Sequence, residues 1–149
     1  MKLTNKVLRR SAKAINDFKY PTRNSLLAQQ MFSFMKKNNG IGLAAPQVGL
    51  SQRLFVMEID QTQRACFNPE ILSYSTDLTE YTEGCLSFPR DECTIKRPSV
   101  VTVRYQDVAG TWVEEQLQGL EARCFQHELD HLDGITMHDR AKEQHATES

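Results

Sequence analysis

Apolar residues first recur at helical spacing between residues 22 and 38, where Leu27, Met31, Phe34 and Met35 fall at i, i+4, i+7 and i+8. That stripe predicts an amphipathic helix that opens after Pro21 and is stopped by Gly40, following Asn38 and Asn39. Ahead of it, residues 1–20 read as an extended arm with a short helical turn around Val7 to Ile15. The period then changes. Across residues 53–59, Phe55 and Met57 take one face of a strand, and Leu54, Val56 and Ile59 cover most of the rest. Residues 65–72 form a second strand interrupted by Asn68 and Pro69, which predicts an edge position or a bulge. Residues 100–105 and 112–117 flank Asp107 to Gly110, a hairpin loop. From Gly119 to Gly134 the apolar residues Leu120, Ala122, Cys124, Phe125, Leu129 and Leu132 predict a buried helix. A charged tail, residues 138–149, is expected to be frayed. Strands around one buried helix give an α+β class, and 149 residues without repeat or linker fit a single domain, 1–149.

Composition narrows the partners. A net charge of -1, with 25% charged and 40% hydrophobic residues, is ordinary for a soluble globular protein and carries no nucleic-acid or membrane footprint. No apolar run approaches the length of a membrane span, and no signal-peptide pattern opens the chain. Cys66, Cys85, Cys93 and Cys124 include no C-x-x-C pair, which argues against a disulfide framework and for reduced thiols in a cytoplasmic setting.

The densest chemistry lies in the last predicted helix. His127 and His131 are one turn apart on one face, so both imidazoles can reach a single ion. Glu128 is rotated by about 100° from His127 and can lean over an open coordination position as general base. This is the H-E-x-x-H pattern of hydrolytic metal sites. A solvated surface cluster is the alternative. The apolar surroundings argue against it, because a buried, unpaired His–Glu–His group is costly and a metal removes that cost. A third ligand is still needed. His138 lies one residue beyond the downstream position that such sites use, and Cys85, within Glu83-Gly84-Cys85-Leu86-Ser87-Phe88-Pro89, is the upstream candidate. Between the first helix and first strand, residues 40–49 (GIGLAAPQVG) offer a slim, stiffened backbone whose one donating side chain is Gln47.

Together and in order, GIGLAAPQVG, EGCLSFP and QHELDHLDG closely resemble the three signature motifs of the peptide deformylases. The resemblance runs from Lys6 to about Met137 and implies antiparallel strands around a buried metal-binding helix. It implies a hydrolase that takes the formyl group from the N-terminal formylmethionine of nascent polypeptides and releases formate. It also implies that Cys85, His127 and His131 are the metal ligands and that Glu128 is the catalytic acid and base. Gln47, with the backbone N–H of Leu86, would stabilise the reacting carbonyl. Ile41, Gly42, Glu83 and Gly84 would line the substrate groove, while Leu120 and Cys124 face the methionine pocket. The metal implied in the cell is Fe2+, with Zn2+, Ni2+ or Co2+ suited to the same ligands. Three features depart from the commonest pattern. Phe88 replaces a smaller aliphatic residue and is expected to reshape one wall of the groove. Arg123 is expected to pack its stem with its head in solvent, or else to touch the peptide substrate. The chain ends soon after the metal helix, as in short, virus-encoded members (which would act in the host cytoplasm), and this puts in doubt any transient ribosome contact made by a long C-terminal helix.

Overall fold

The computed structural model describes residues 1–148. Helix α1 spans Pro21–Lys37, with Pro21 at a position where its missing N–H costs no helical bond. Its stripe buries Ala28, Met31, Phe32 and Met35. The stop is Asn39 rather than Gly40. Asn39 takes the left-handed conformation (φ 61), and the Gly40 and Asn39 N–H groups close onto the carbonyls of Met35 and Lys36.

Five strands form one antiparallel sheet in the order β1-β2-β3-β6-β7: β1 (Gly42–Ala44), β2 (Leu54–Ile59), β3 (Thr62–Tyr74), β6 (Val100–Gln106) and β7 (Trp112–Gln118). Strands β4 (Leu78–Cys85) and β5 (Phe88–Pro98) pair separately as a long hairpin. Helix α2 (Gly119–Leu132) packs on β1, β2 and β7, and also on β5. Side-chain alternation along β2 explains why this sheet needs a helix on each face. Phe55, Met57 and Ile59 point to the cluster containing Ala122, Phe125 and Leu132 of α2, whereas Leu54 and Val56 join Met31, Phe32 and Met35 of α1. Ile59 thus shares the Phe55 face and does not complete the other one, as its odd position requires. The Phe55 and Phe125 rings meet edge to face at 4.9 Å, a contact worth about 0.5–1.5 kcal/mol beyond the area it buries.

Asn68 and Pro69 make a bulge inside a central strand, not an edge: the β3–β6 register shifts between Phe67 and Glu70. With φ 49, Asn68 turns its side chain onto the N–H and carbonyl of Ile15 and so fastens the N-terminal arm. The arm carries no helix over residues 7–15. It holds a turn closed by Leu8 and Arg10 N–H bonds, then a bridge from Lys13 to Gln52. Thr4 N–H donates to the Gln47 carbonyl at 2.9 Å and Ala12 N–H to the Leu132 carbonyl at 2.8 Å. One strap therefore touches both the Gln47 turn and the end of α2.

The end of the chain corrects the expectation of a frayed tail. Helix α3 (Met137–Glu148) continues the fold, although residue 149 lies outside the described residues. Met137 is buried, Asp139 pairs with Arg9 at 2.8 Å, and the Gln144 amide exchanges two hydrogen bonds with the backbone of Lys96 on β5, both 2.9 Å.

Candidate metal centre

Two elements bring the site together. Helix α2 buries His127, Glu128 and His131 because its other face is committed to the sheet. The β4–β5 hairpin brings Cys85, whose register against β5 shifts between Gly84 and Cys85 and re-aims the sulfur. Cys85 Sγ lies 3.3 Å from His131 Nε2, and the donor atoms of Cys85, His127 and His131 all lie within 4.8 Å of one another. Among the described residues this is the one group of its kind. His138 is elsewhere: its Nε2 meets Asp91 at 2.9 Å and its ring stacks edge-on against Phe88. A peptidase-type downstream histidine is thereby excluded, and Phe88 packs on α3 instead of shaping the groove.

The electrostatics suit a cation. Glu83 Oε1 sits 2.8 Å from His127 Nδ1, which turns the other ring nitrogen toward the cluster. Burial opposes ionisation of Glu83, but hydrogen bonds from His127 and Arg97 outweigh it and hold the carboxyl at about 2. Burial also pulls His127 down, yet the Cys85 sulfur and Glu83 carboxylate more than offset this and set it at about 10. Taken alone, then, the protein groups favour one positive charge at this point. Burial, with His127 and Arg97 nearby, drives His131 down to about 3, leaving a neutral imidazole fit to ligate. Its Nδ1 is one of two buried side-chain atoms without a hydrogen-bond partner among the described residues. The other is Glu128 Oε1, on a carboxyl that burial pushes up to about 7. One thiolate and two imidazoles form a donor set for zinc or a late divalent transition metal.

Gln47 is buried in the 3₁₀ turn Ala45–Val48. Its amide oxygen accepts from Ala44 N–H at 2.9 Å, so the NH2 must face the site, 3.5 Å from Cys85 Sγ and 3.0 Å from Ser87 Oγ. A cavity of about 590 Å³ opens here, lined by every residue assigned to the site except His131, which lies buried behind it. Ile41 and Leu120 are half-exposed at its mouth, and Cys124 is buried in its wall. Arg123 is corrected: its head turns inward to Glu83 and to the carbonyls of Ile95 and Thr79, under the Tyr81 ring. Sequence reasoning missed Ser87, Tyr81, Arg97 and Asp130. Ser87 alone carried a signal, as a hydroxyl two residues from the candidate sulfur.

Gly42 is needed for close approach. A Cβ there would sit 2.5 Å from Glu128 Oε2 and 2.8 Å from Cys124 Sγ, both packed in the interior. Gly42→Ala is expected to displace Glu128 and lower kcat by about 100-fold, with a smaller change in KM. Steady-state kinetics beside a melting curve checks this, and a wild-type kcat would contradict the close-approach role.

The chain is similar to known proteins along most of its length. The model of the family described as polypeptide deformylase matches residues 1–147. A peptide deformylase of Thermotoga neapolitana is 47% identical over 91% of this chain and 82% of its own length. Peptide deformylase 2 of Gloeobacter violaceus is 43% identical over 95% of this chain and 78% of its own. Among solved structures, the Thermotoga maritima peptide deformylase superposes with a TM-score of 0.86 at 44% identity, covering 90% of each chain. The Plasmodium falciparum peptide deformylase gives 0.89 at 33% identity, over 99% of this chain and 90% of that one.

Proposed function

Because the chain belongs to the polypeptide deformylase family, we propose that it removes the N-formyl group from the N-terminal formylmethionine of nascent polypeptides and releases formate. The observation that carries this reading is the convergence of Cys85, His127, Glu128 and the inward-facing Gln47 amide on one cavity. Cys85, His127 and His131 would hold one divalent ion, Fe2+ in the cell, with Zn2+, Ni2+ or Co2+ able to substitute. When bound, such an ion acidifies water and polarises a carbonyl.

The chain's own residues do the rest. Glu128 takes the proton that water gives up as its oxygen attacks the formyl carbon. The Gln47 NH2, fixed by Ala44, and the Leu86 N–H donate to the formyl oxygen as charge builds there. Glu128 then passes its proton to the departing amine as the C–N bond breaks, and formate leaves. Ile41, Leu120 and Cys124 give the methionine side chain an apolar wall, with Gly42 and Gly84 leaving backbone room beside it. Glu83 and Arg123 line the same cavity, but their heads are engaged with each other, so they shape the groove more than they grip the peptide.

Among the described residues no helix is long and apolar enough to cross a membrane. The proposed setting is the cytoplasm, with nascent chains as partners and at most a transient ribosome contact. The test is a panel of peptides headed by formyl-Met, acetyl-Met and free Met, with formate and new amine counted together. Equal yields of both from formyl-Met alone are expected. Cleavage of internal peptide bonds, or no formate above a chelated blank, would overturn the reading.

A further inference from the structure

Helix α3 is joined to the metal centre by a buried chain of opposite charges. It starts at His127 Nδ1, 2.8 Å from Glu83 Oε1. Glu83 accepts two hydrogen bonds from Arg97, at 2.6 and 3.0 Å. Arg97 Nη1 reaches Asp130 Oδ2 at 2.9 Å. Asp130 receives Arg140 of α3 as a fork, Nη2 to Oδ1 at 2.8 Å and Nε to Oδ2 at 3.1 Å. Glu83, Arg97 and Asp130 are all buried, and only Arg140, with 35% of its side chain exposed, opens to solvent.

We propose that Arg140 is a positioning residue of the metal centre, holding His127 in its ligating orientation through Asp130, Arg97 and Glu83. This rests on the metal reading above, though not on turnover. The physical ground is that a buried carboxylate must be paired. Asp130 draws on two guanidinium groups, and Arg97 is shared between Asp130 and Glu83. Without Arg140, Asp130 has Arg97 alone and pulls it away from Glu83. The grip of Glu83 on the His127 ring then loosens. Arg123 also bonds Glu83, so the loss is partial.

Losing an immediate outer partner of a metal ligand costs about 10–100-fold in affinity. Arg140 stands further out, and an effect of about 3- to 10-fold is expected. The experiment loads the full chain with Co2+ and follows release into excess chelator through the thiolate–cobalt absorption, alongside the ligand-field spectrum before release. Arg140→Met is expected to speed release by that factor and to shift the spectrum, while Arg140→Lys restores part of both. Gln144→Ala removes one hold of α3 on β5 without touching the chain of charges, and should release metal at the wild-type rate. Wild-type release and spectrum from Arg140→Met would overturn the proposal. So would Gln144→Ala matching Arg140→Met, since helix packing would then be the cause. If Arg140→Met does not fold, Arg140→Gln, which removes the same charge but can still donate to Asp130, carries the same expectation. Because release and spectrum need no substrate, a protein that binds cobalt but does not deformylate would fail the functional reading and leave this test intact.

Discussion

Glu128→Gln is expected to leave the protein folded and fully metal-loaded while cutting formate release by about 100- to 10,000-fold, the usual worth of a positioned general acid–base. The carboxyl is buried beside His127 and is not among the grouped donor atoms, so the amide keeps its shape without disturbing the ligands. What it loses is the ability to accept a proton and return it. Burial pushes that carboxyl up to about 7 in the metal-free chain, and a divalent ion nearby would lower it again, favouring the ionised form that accepts a proton. Metal analysis and turnover on one preparation make the comparison. Loss of the ion together with activity would show that Glu128 is a ligand, and retained activity would remove it from the chemistry.

Cys85→Ser should act on the other half of the site. Losing a thiolate leaves His127 and His131 with a hydroxyl in place of the one anionic ligand, and metal affinity should fall by more than about 100-fold, beyond the loss typical of an outer partner. Formate release should fall with it at limiting metal. His138→Ala should change neither, because His138 is occupied with Asp91 and Phe88 of β5. Chelator competition on the two variants checks this. Equal affinity in Cys85→Ser and wild type would show that the sulfur is not a ligand.

What was readable in the sequence followed from period and spacing. Helix α1, the β6–β7 hairpin and α2 each have one face held by a core, and β2 is held on both, so a period repeats along them. The β4–β5 hairpin has no such face. Most of β4 is exposed, with threonine, glutamate and tyrosine filling its middle, so pairing with β5, which itself contacts α2 and α3, and not alternation, creates it. Helix α3 was hidden for a related reason. Apart from Met137, its hold comes from His138, Asp139 and Gln144 reaching residues far away in the chain and from Arg140 reaching back to Asp130.

The same division runs through the site. His127, Glu128 and His131 sit at offsets set by the helix itself, and Cys85 and Gln47 were found through the motifs around them. Arg97 and Asp130 have no fixed offset from what they serve. Arg97 lies 14 residues from Glu83 and 33 from Asp130, and only folding makes them neighbours. Arg123 misled because an arginine on an apolar helix ordinarily sends its charge outward, whereas here a buried carboxylate draws it in.

The most direct measurement is an anaerobic titration of metal-stripped protein with Fe2+ or Ni2+, reading formate release from a formyl-Met peptide at each addition. Activity should start near zero, climb in proportion to added ion and break at one ion per chain. Full turnover in the stripped protein, or none at saturation, would contradict a single working ion held by Cys85, His127 and His131.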